Sequence, residues 1–381
     1  MTLLDDIRKT ATEPAHDAHA LPLAAYADVD VHALERTHVF HGDWVFVCNT
    51  FEISQPGDRF ALDIAGEPVV VMRDADGQVR AMSNVCTHRG TPLADEGFSQ
   101  GSRLVCPYHA WTFTDDGTLK GAPYVGNAPL DKKKHCLPQF ACEVWNHLVF
   151  VNIDGAAAPL AERFAGLGEY LSPYGVDQFT GGYSFGKDTW RANWKLVMEN
   201  AMESYHLFKV HKPTLETVAP TKLAYYVEGH AEWTVTAGAT RQPAGWMSAL
   251  ARLWPEPSSD PEENRYVLFS MPPNLVGIAS EDGFGYITCT PDGPGRSRVR
   301  GGNIGFTNAP PGGSTGKFVA DFFDEDKRIC ERAQKGMSSS YARQSGQLVE
   351  LERVVVDFHQ YLASRLFGTT PDPIHRAPPV E

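Results

Sequence analysis

The chain has 381 residues, 42% of them hydrophobic, and a formal net charge of −13, so it can bury a full core and is long enough for two domains. The acid excess argues against a nucleic-acid-binding surface, and no apolar run is long enough to span a bilayer. Residues 1–22 lack the basic and apolar segments of a signal peptide, so we expect a cytoplasmic protein with reduced cysteines.

The first half of the chain is predicted to contain helical pieces followed by short strands. Apolar residues recur at helical spacing within residues 1–37, which we expect to pack on the domain that follows. Residues 38–155 contain short runs rich in β-branched and aromatic side chains, such as WVFVCNTF and HLVFVNI. The dipeptides Asp76-Gly77 and Asp116-Gly117 are typical of tight hairpin turns. This part is predicted to be a small antiparallel β domain.

Residues 156–381 are predicted to form a second domain, of the α+β class, because helical and strand patterns are mixed there. The predicted helices lie near residues 193–210, 317–337 and 346–366, and the predicted strands near residues 223–236, 265–290 and 296–306. We expect a sheet covered by helices.

Two short motifs in the predicted β domain each pair a cysteine with a histidine. CTHRG contains Cys86 and His88, and CPYHAW contains Cys106 and His109. Two thiolates and two imidazoles from two loops can hold one zinc ion or a two-iron cluster. The short C-x-H spacing suits a single tetrahedral ion poorly, whereas a cluster lets the cysteines bind one iron and the histidines the other. The pattern favours a cluster, with a structural zinc site as the alternative.

These two motifs resemble the signature of a Rieske [2Fe–2S] domain. At this spacing the signature is specific, and the resemblance implies that Cys86, His88, Cys106 and His109 are the cluster ligands. A Rieske cluster transfers single electrons, so the rest of the chain should contain a destination for them.

The segment NWKLVMENAMESYHLFKVHKP, residues 193–213, can supply that destination. On a regular helix Glu203 and His206 share a face, whereas His211 lies about 140° further round. Both histidines can bind one metal only if the backbone departs from helical geometry between them, which Pro213 supports. The chain has 14 histidines, so a chance pair of ordinary histidines is the alternative.

Together with the upstream signature, this segment resembles the mononuclear-iron motif of Rieske non-haem iron oxygenases. The family includes aromatic ring-hydroxylating enzymes and choline, betaine and carnitine monooxygenases. The resemblance implies a Rieske domain followed by a helix-grip α+β catalytic domain. It also implies Fe(II) bound by His206, His211 and one carboxylate, with O2 as co-substrate.

The carboxylate is expected from the later helical segment DFFDEDKRICERAQKGM. Asp326 falls on the apolar stripe of that segment, four residues after Phe322, where an acid needs a partner such as a metal. The other charged residues of the segment, Glu325 among them, are predicted to face elsewhere. The rival, Asp357, is predicted to point away from an apolar stripe and to be a solvated acid. The family resemblance also favours Asp326.

Glu203 matches the position where many relatives carry an aspartate, three residues before the first iron-binding histidine. The resemblance implies that this acid connects across a subunit boundary to a Rieske histidine, here His109 of a neighbouring copy. The implied assembly is a head-to-tail homotrimer, since a closed ring prevents open polymers. The alternative is a helix-surface salt bridge from Glu203 to Lys195 or Lys209.

We therefore expect the terminal oxygenase of a multicomponent system. Electrons would come from NAD(P)H through a separate flavin or iron–sulfur reductase or ferredoxin, because the sequence has no Gly-rich dinucleotide fingerprint. The expected reaction is hydroxylation or oxidative dealkylation of a small aromatic or N-alkyl compound. The alternative is a Rieske electron carrier or ligand-binding protein without oxygenase chemistry. Candidate residues for the substrate pocket are Tyr205, Leu207, Phe208, Trp233, Trp246, Phe269, Met271 and Phe306.

Overall fold

The computed structural model describes residues 2–126, 130–240, 265–280, 283–342, 345–372 and 375–376. The chain divides into two compact units. One is Phe40–Leu160, and the other combines Met1–Val39 with Ala161–Glu381. Across the described ranges, no helix has the length and apolar character needed to cross a membrane.

The unit of residues 40–160 is built from antiparallel strands. They are β1 (Val45–Asn49), β2 (Asp58–Ile64), β3 (Glu67–Arg73), β4 (Val79–Ser83), β5 (Gly97–Gln100), β6 (Leu104–Val105), β7 (Thr112–Phe113), β8 (Leu119–Gly121), β9 (Gln139–Trp145) and β10 (Leu148–Asn152). One sheet has the order β1-β10-β9-β4-β3-β2-β5, and a smaller sheet has the order β6-β7-β8. Gly77 and Gly117 connect β3 to β4 and β7 to β8 with φ of 82° and 79°, a conformation that glycine adopts without strain. The predicted hairpins are present.

The second unit contains an antiparallel sheet with helices packed on it. Its strands are β11 (Gly181–Trp190), β12 (Tyr225–His230), β13 (Trp233–Ala239), β14 (Arg265–Met271), β15 (Leu275–Ser280), β16 (Gly283–Pro291), β17 (Ser297–Gly305) and β18 (His375–Arg376). The strand order is β11-β17-β16-β15-β14-β13-β12-β18.

Several of the later helices pack directly on this sheet. Two helices lie in the N-terminal segment, α1 (Leu3–Thr10) and α2 (Val29–Glu35). The helices that follow the β domain are α3 (Leu160–Arg163), α4 (Ala165–Leu171), α5 (Trp194–Met202), α6 (Leu207–Val210), α7 (Leu215–Val218), α8 (Gly313–Met337) and α9 (Arg353–Phe367). Helix α5 contacts β14, β15 and β16, helix α9 contacts β12 and β13, and α8 packs against α5. The predicted α+β fold, with a β domain before a helix-covered sheet, is confirmed.

The N-terminal segment belongs to the second unit. Nζ of Lys195 lies 2.5 Å from Oε1 of Glu35, and each side chain is 1% exposed. The hydroxyl of Tyr26 donates to both carboxylate oxygens of Glu199 at 2.8 Å. The expectation that this segment packs on the β domain is therefore wrong. A lysine buried on α5 requires a counter-charge, and the N-terminal segment supplies it.

Candidate metal centres

The two Cys/His loops have matching backbone geometry. The amide four residues after each cysteine donates to the cysteine carbonyl, from Gly90 to Cys86 at 2.9 Å and from Ala110 to Cys106 at 3.0 Å. Both donor residues have positive φ, 73° for Gly90 and 55° for Ala110. Each loop therefore turns back on its own cysteine, although the spacing from cysteine to histidine differs.

The predicted cluster ligands of these loops face one another. The rings of His88 and His109 have centroids 4.7 Å apart, and His88 stacks on Trp111. Cys86 and Cys106 are buried. Within the part of the chain that the structure describes, Nδ1 of His109 is buried without a hydrogen-bond partner. A metal bound to that nitrogen would supply the missing partner, so the donor set fits a two-iron cluster.

A second donor set lies in the unit that contains the helix-covered sheet. One donor atom each from His206, His211 and Asp326 lies within 4.8 Å of the others. Oδ1 of Asp326 is 2.9 Å from Nε2 of His211 and 3.5 Å from Nε2 of His206. Two imidazoles and one carboxylate converging on one point fit a ferrous ion of the non-haem oxygenase type.

The backbone departs from regular helical geometry before His206 and again at His211, where α6 ends and the residue has φ −97° and ψ 24°. Helix α5 ends at Met202, and Glu203 is extended with φ −110° and ψ 159°. A helical turn then resumes, and the amide of His211 donates to the carbonyl of Leu207 at 3.0 Å. The predicted departure from helical geometry is found at His211, where α6 ends shortly before Pro213. The carboxylate of Glu203 accepts from the amide of His206 at 3.1 Å, which stabilises the start of a new turn there.

Asp326 lies on the buried face of α8, where the sequence places it. The side-chain amide of Asn200 donates to Oδ1 of Asp326 at 2.8 Å. This contact links α5 to α8 and restricts the orientation of the carboxylate. Asn200 lies within the segment of residues 193–213, but local spacing does not predict this contact, because it depends on the packing of α5 against α8.

The charges of the site stabilise one another. Burial favours the neutral form of His206, but the carboxylates of Asp326 and Glu203 raise its pKa to about 10. Burial also favours neutral Asp326, but hydrogen bonds to His206 and His211 lower the pKa of Asp326 to about 2. The protein thus holds an anionic carboxylate against imidazoles. A divalent cation here would take the place of the protons.

Each histidine of this site also contacts an acid through its other nitrogen. Nδ1 of His206 lies 2.5 Å from Oε1 of Glu203, and Nδ1 of His211 lies 2.8 Å from Oε2 of Glu325. Metal-binding histidines are commonly oriented in this way. The prediction that Glu325 faces elsewhere is wrong, because Glu325 and Asp326 flank the same imidazole. The alternative salt bridge from Glu203 to Lys195 is also wrong, since Lys195 pairs with Glu35.

Asp357 lies elsewhere in the unit and is fully buried, 0% exposed. Its Oδ2 accepts a hydrogen bond from Tyr226 at 2.9 Å, and burial raises its pKa to about 7. The prediction of a solvated acid is wrong. Helix α9 is buried on every side from residue 354 to residue 363. The spacing of its apolar residues therefore does not distinguish a buried face from a solvated one.

The candidate pocket residues fall into different environments. Trp233, Phe269 and Met271 are buried in the core. Phe269 lies over Gly277, where an added Cβ would approach the phenylalanine Cζ to 2.3 Å. Leu207 is also buried, whereas Tyr205, Phe208 and Phe306 are exposed. Trp246 lies outside the described residues.

Two family models match the chain. A Rieske [2Fe-2S] domain matches residues 43–141, and the catalytic domain of a ring hydroxylating alpha subunit matches residues 177–368, which is half of the chain. The chain belongs to the family of ring-hydroxylating alpha subunits. The predicted order of a Rieske domain and a catalytic domain is confirmed.

Relatives with established names match different shares of the chain. It is 34% identical over 200 residues to the glycine betaine monooxygenase oxygenase subunit of Chromohalobacter salexigens, a match covering 52% of this chain but 45% of that protein. It is 27% identical over 347 residues to the carnitine monooxygenase oxygenase subunit of Acinetobacter baumannii, covering 87% of this chain and 89% of that protein. The chain thus spans about half the length of the first relative.

Solved structures support the fold. A quaternary ammonium Rieske monooxygenase in complex with gamma-butyrobetaine has a TM-score of 0.76 at 24% identity, covering 94% of this chain and 98% of that chain. Naphthalene 1,2-dioxygenase from Rhodococcus sp., bound to indole, has a TM-score of 0.75 at 22% identity, covering 97% and 100%. The resemblance extends over nearly the whole chain in both cases.

Proposed function

We propose that this chain is the terminal oxygenase of a multicomponent Rieske system. The observation that carries the proposal is the convergence of His206, His211 and Asp326 within 4.8 Å, in a chain that also contains the Rieske donor loops. In this proposal the cluster ligands are Cys86, His88, Cys106 and His109, and the mononuclear ligands are His206, His211 and Asp326.

The bound metals would supply single electrons and coordination positions for O2. The protein residues hold those positions. Glu203 and Glu325 accept from the Nδ1 atoms of His206 and His211, which leaves each Nε2 directed at the carboxylate of Asp326. Asn200 holds Oδ1 of that carboxylate from the side of α5.

A Rieske electron carrier is the weaker proposal. A carrier accounts for the two Cys/His loops but gives no role to the second donor set. An electron carrier does not require two imidazoles and a carboxylate to converge on one point in a second unit. The outer contacts to Glu203 and Glu325 are also arranged as in histidine metal sites.

The proposed assembly is a head-to-tail homotrimer. In it, Glu203 of one subunit contacts His109 of a neighbour and so bridges the neighbour's cluster site to the mononuclear site, between which the electrons would pass. The contact of Glu203 with Nδ1 of His206 supports the part of this route that lies within the subunit that would accept the electrons. The electrons would come from NAD(P)H through a separate reductase or ferredoxin, as the family implies.

The proposed substrate is a small N-alkyl amine or aromatic compound. The names of the glycine betaine and carnitine relatives favour the amine. Tyr205 and Phe208 border His206 in sequence, are 42% and 49% exposed, and have ring centroids 5.7 Å apart. Exposed aromatic faces can hold a quaternary ammonium by cation–π contact. The same faces suit a flat aromatic ring.

The reaction balances as R–H + O2 + 2 e− + 2 H+ → R–OH + H2O, where the C–H bond belongs to a ring carbon or to an N-alkyl group. An N–CH2OH product then releases formaldehyde and leaves the amine with one methyl group fewer. The test is a single turnover of chemically reduced protein with O2 and each of three probes: glycine betaine, carnitine and benzoate. We expect formaldehyde from an amine probe or a hydroxylated ring from benzoate, and no product from His206→Ala. Absence of product with every member of a wider amine and aromatic panel, at full metal content, would contradict the proposed activity.

A further inference from the structure

We propose that Glu325 is the positioning residue for His211, so that it sets the metal affinity of the catalytic unit. The inference rests on the proposed function, because it assigns His211 to a metal site. Glu325 touches neither the substrate nor the metal in this role. It acts through the imidazole.

Helix α8 contacts both nitrogens of one buried imidazole with consecutive residues. Oε2 of Glu325 lies 2.8 Å from Nδ1 of His211, and Oδ1 of Asp326 lies 2.9 Å from Nε2. Consecutive helical positions are about 100° apart, which is enough for two side chains to reach opposite edges of a ring between them. The position of one helix therefore orients both the histidine and the carboxylate.

The carboxylate of Glu325 also selects the nitrogen that is free for a metal. A neutral imidazole has one N–H and one lone pair. An acid at Nδ1 accepts the N–H there, which leaves the lone pair on Nε2. Nε2 is the nitrogen that faces Asp326, so Glu325 directs the donor atom of His211 into the site.

Glu325 is itself fixed by the turn that carries His211. The hydroxyl of Thr214 donates to Oε2 of Glu325 at 2.5 Å, and the amide of Thr214 donates to the carbonyl of His211 at 2.9 Å. Both His211 and Thr214 are buried. The imidazole of His211 and the hydroxyl of Thr214 therefore both contact the carboxylate of Glu325, which restricts its rotation.

The two outer acids are expected to have different effects when they are changed. Glu203 is proposed to take part in electron transfer, whereas Glu325 is proposed to control metal retention. Glu325→Ala should leave Nδ1 without its acceptor and allow the imidazole to rotate. Glu325→Gln keeps an oxygen that can accept from Nδ1 but removes the charge. Thr214→Val removes the hydroxyl that holds the acid with little change of shape.

The test is a Co2+ titration of protein whose mononuclear metal has been removed by a chelator, with the full chain and the cluster retained. We expect Glu325→Ala to raise the Kd for Co2+ about 10- to 100-fold, with smaller increases for Glu325→Gln and Thr214→Val. The matched control is Asp324→Ala, on the same helix, where the acid is exposed and pairs with Arg328 at the surface. Its Kd should equal that of the wild type.

A purely structural role would lower the thermal unfolding midpoint without changing the Kd for Co2+. Wild-type affinity in folded Glu325→Ala would overturn the inference. If Glu325→Ala does not fold, Glu325→Gln and Thr214→Val decide: weakened binding in either supports the inference, and wild-type affinity in both overturns it. Failure of the wild-type protein itself to bind Co2+ would instead contradict the proposed function.

Discussion

Oδ1 of Asp326 lies 2.9 Å from Nε2 of His211, although 115 positions separate the two residues in the chain. The same oxygen lies 3.5 Å from Nε2 of His206 and accepts from the amide of Asn200. One carboxylate oxygen therefore connects α8 to both histidines and to α5. The geometry of the proposed metal site therefore depends on the position of this oxygen.

Asp326→Asn should remove the mononuclear metal while the Rieske cluster is retained. The change keeps the size of the side chain but removes the negative charge that offsets a divalent cation. Iron per chain and the visible spectrum measure the two centres separately. The matched control, Asp324→Asn, changes an exposed acid on the same helix and should retain both. Loss of the cluster spectrum in Asp326→Asn would contradict the assignment of the two sites to separate units.

Glu203→Gln should fill both metal sites normally but slow electron transfer between them. The amide can still contact Nδ1 of His206, so the imidazole keeps its position, while the charge of the proposed electron-transfer bridge is lost. The measurement is the rate of cluster reoxidation, with product formed, in a single turnover. An undiminished rate would count against the bridging role.

The proposed trimer predicts complementation between inactive chains. Cys106→Ser should lack the cluster, and His206→Ala should lack the mononuclear iron, so neither alone should form product. Co-assembled subunits should recover activity if electrons cross from one chain to the next. The control is the same mixture of separately purified, non-exchanging proteins. An inactive co-assembly that contains both chains would argue for transfer within one chain.

Lys195→Met should destabilise the catalytic unit by about 3–5 kcal/mol, because it leaves Glu35 buried without its counter-charge. Unfolding in urea, followed by tryptophan fluorescence, measures the change. Arg328→Ala is the control, since it breaks an exposed pair whose side chains are 67% and 59% exposed, worth less than about 1 kcal/mol. Equal losses in the two variants would show that the buried pair has no special contribution.

Asp357→Asn should reduce the dependence of stability on pH. Burial raises the pKa of Asp357 from 3.8 to about 7 despite the nearby Arg353 and the hydrogen bond from Tyr226. A folded pKa above the unfolded value means that the folded state holds a proton more tightly. The resulting stabilisation is complete below the unfolded pKa and is lost as pH rises through about 7.

The unfolding free energy of the wild type should therefore fall relative to Asp357→Asn between about pH 4 and pH 7. Asn can still accept from Tyr226, so the fold should be kept. The measurement is urea unfolding of both proteins across this range. A constant difference between them would show that Asp357 is ionised throughout.

Local spacing singled out the Cys/His loops, whereas the two histidines of the catalytic unit were selected only together with the resemblance of their segment to a family motif. Cys86 and His88, like Cys106 and His109, lie within one turn of chain, so their geometry depends little on the rest of the fold. Asp326 was placed by the same kind of pattern, since an acid on the apolar face of an amphipathic helix needs a partner.

Side chains whose roles depend on tertiary packing could not be predicted in this way. The helical spacing predicts that Glu325 faces away from the apolar stripe of its helix. It belongs to the site because His211 packs against it in the folded chain. Asp357 lies on a helix that is buried on every side, where a facial pattern carries no information. From the sequence alone, Lys195 is expected to be a surface charge, because its partner Glu35 lies 160 positions away in the chain.

The iron and acid-labile sulfide content of the anaerobically prepared wild-type chain, measured together with its visible spectrum, tests both metal centres at once. We expect about three irons and two sulfides per chain, with the reddish-brown spectrum of a Rieske cluster. Two irons and two sulfides, unchanged after addition of ferrous ion, would contradict the mononuclear site and leave an electron carrier as the better explanation.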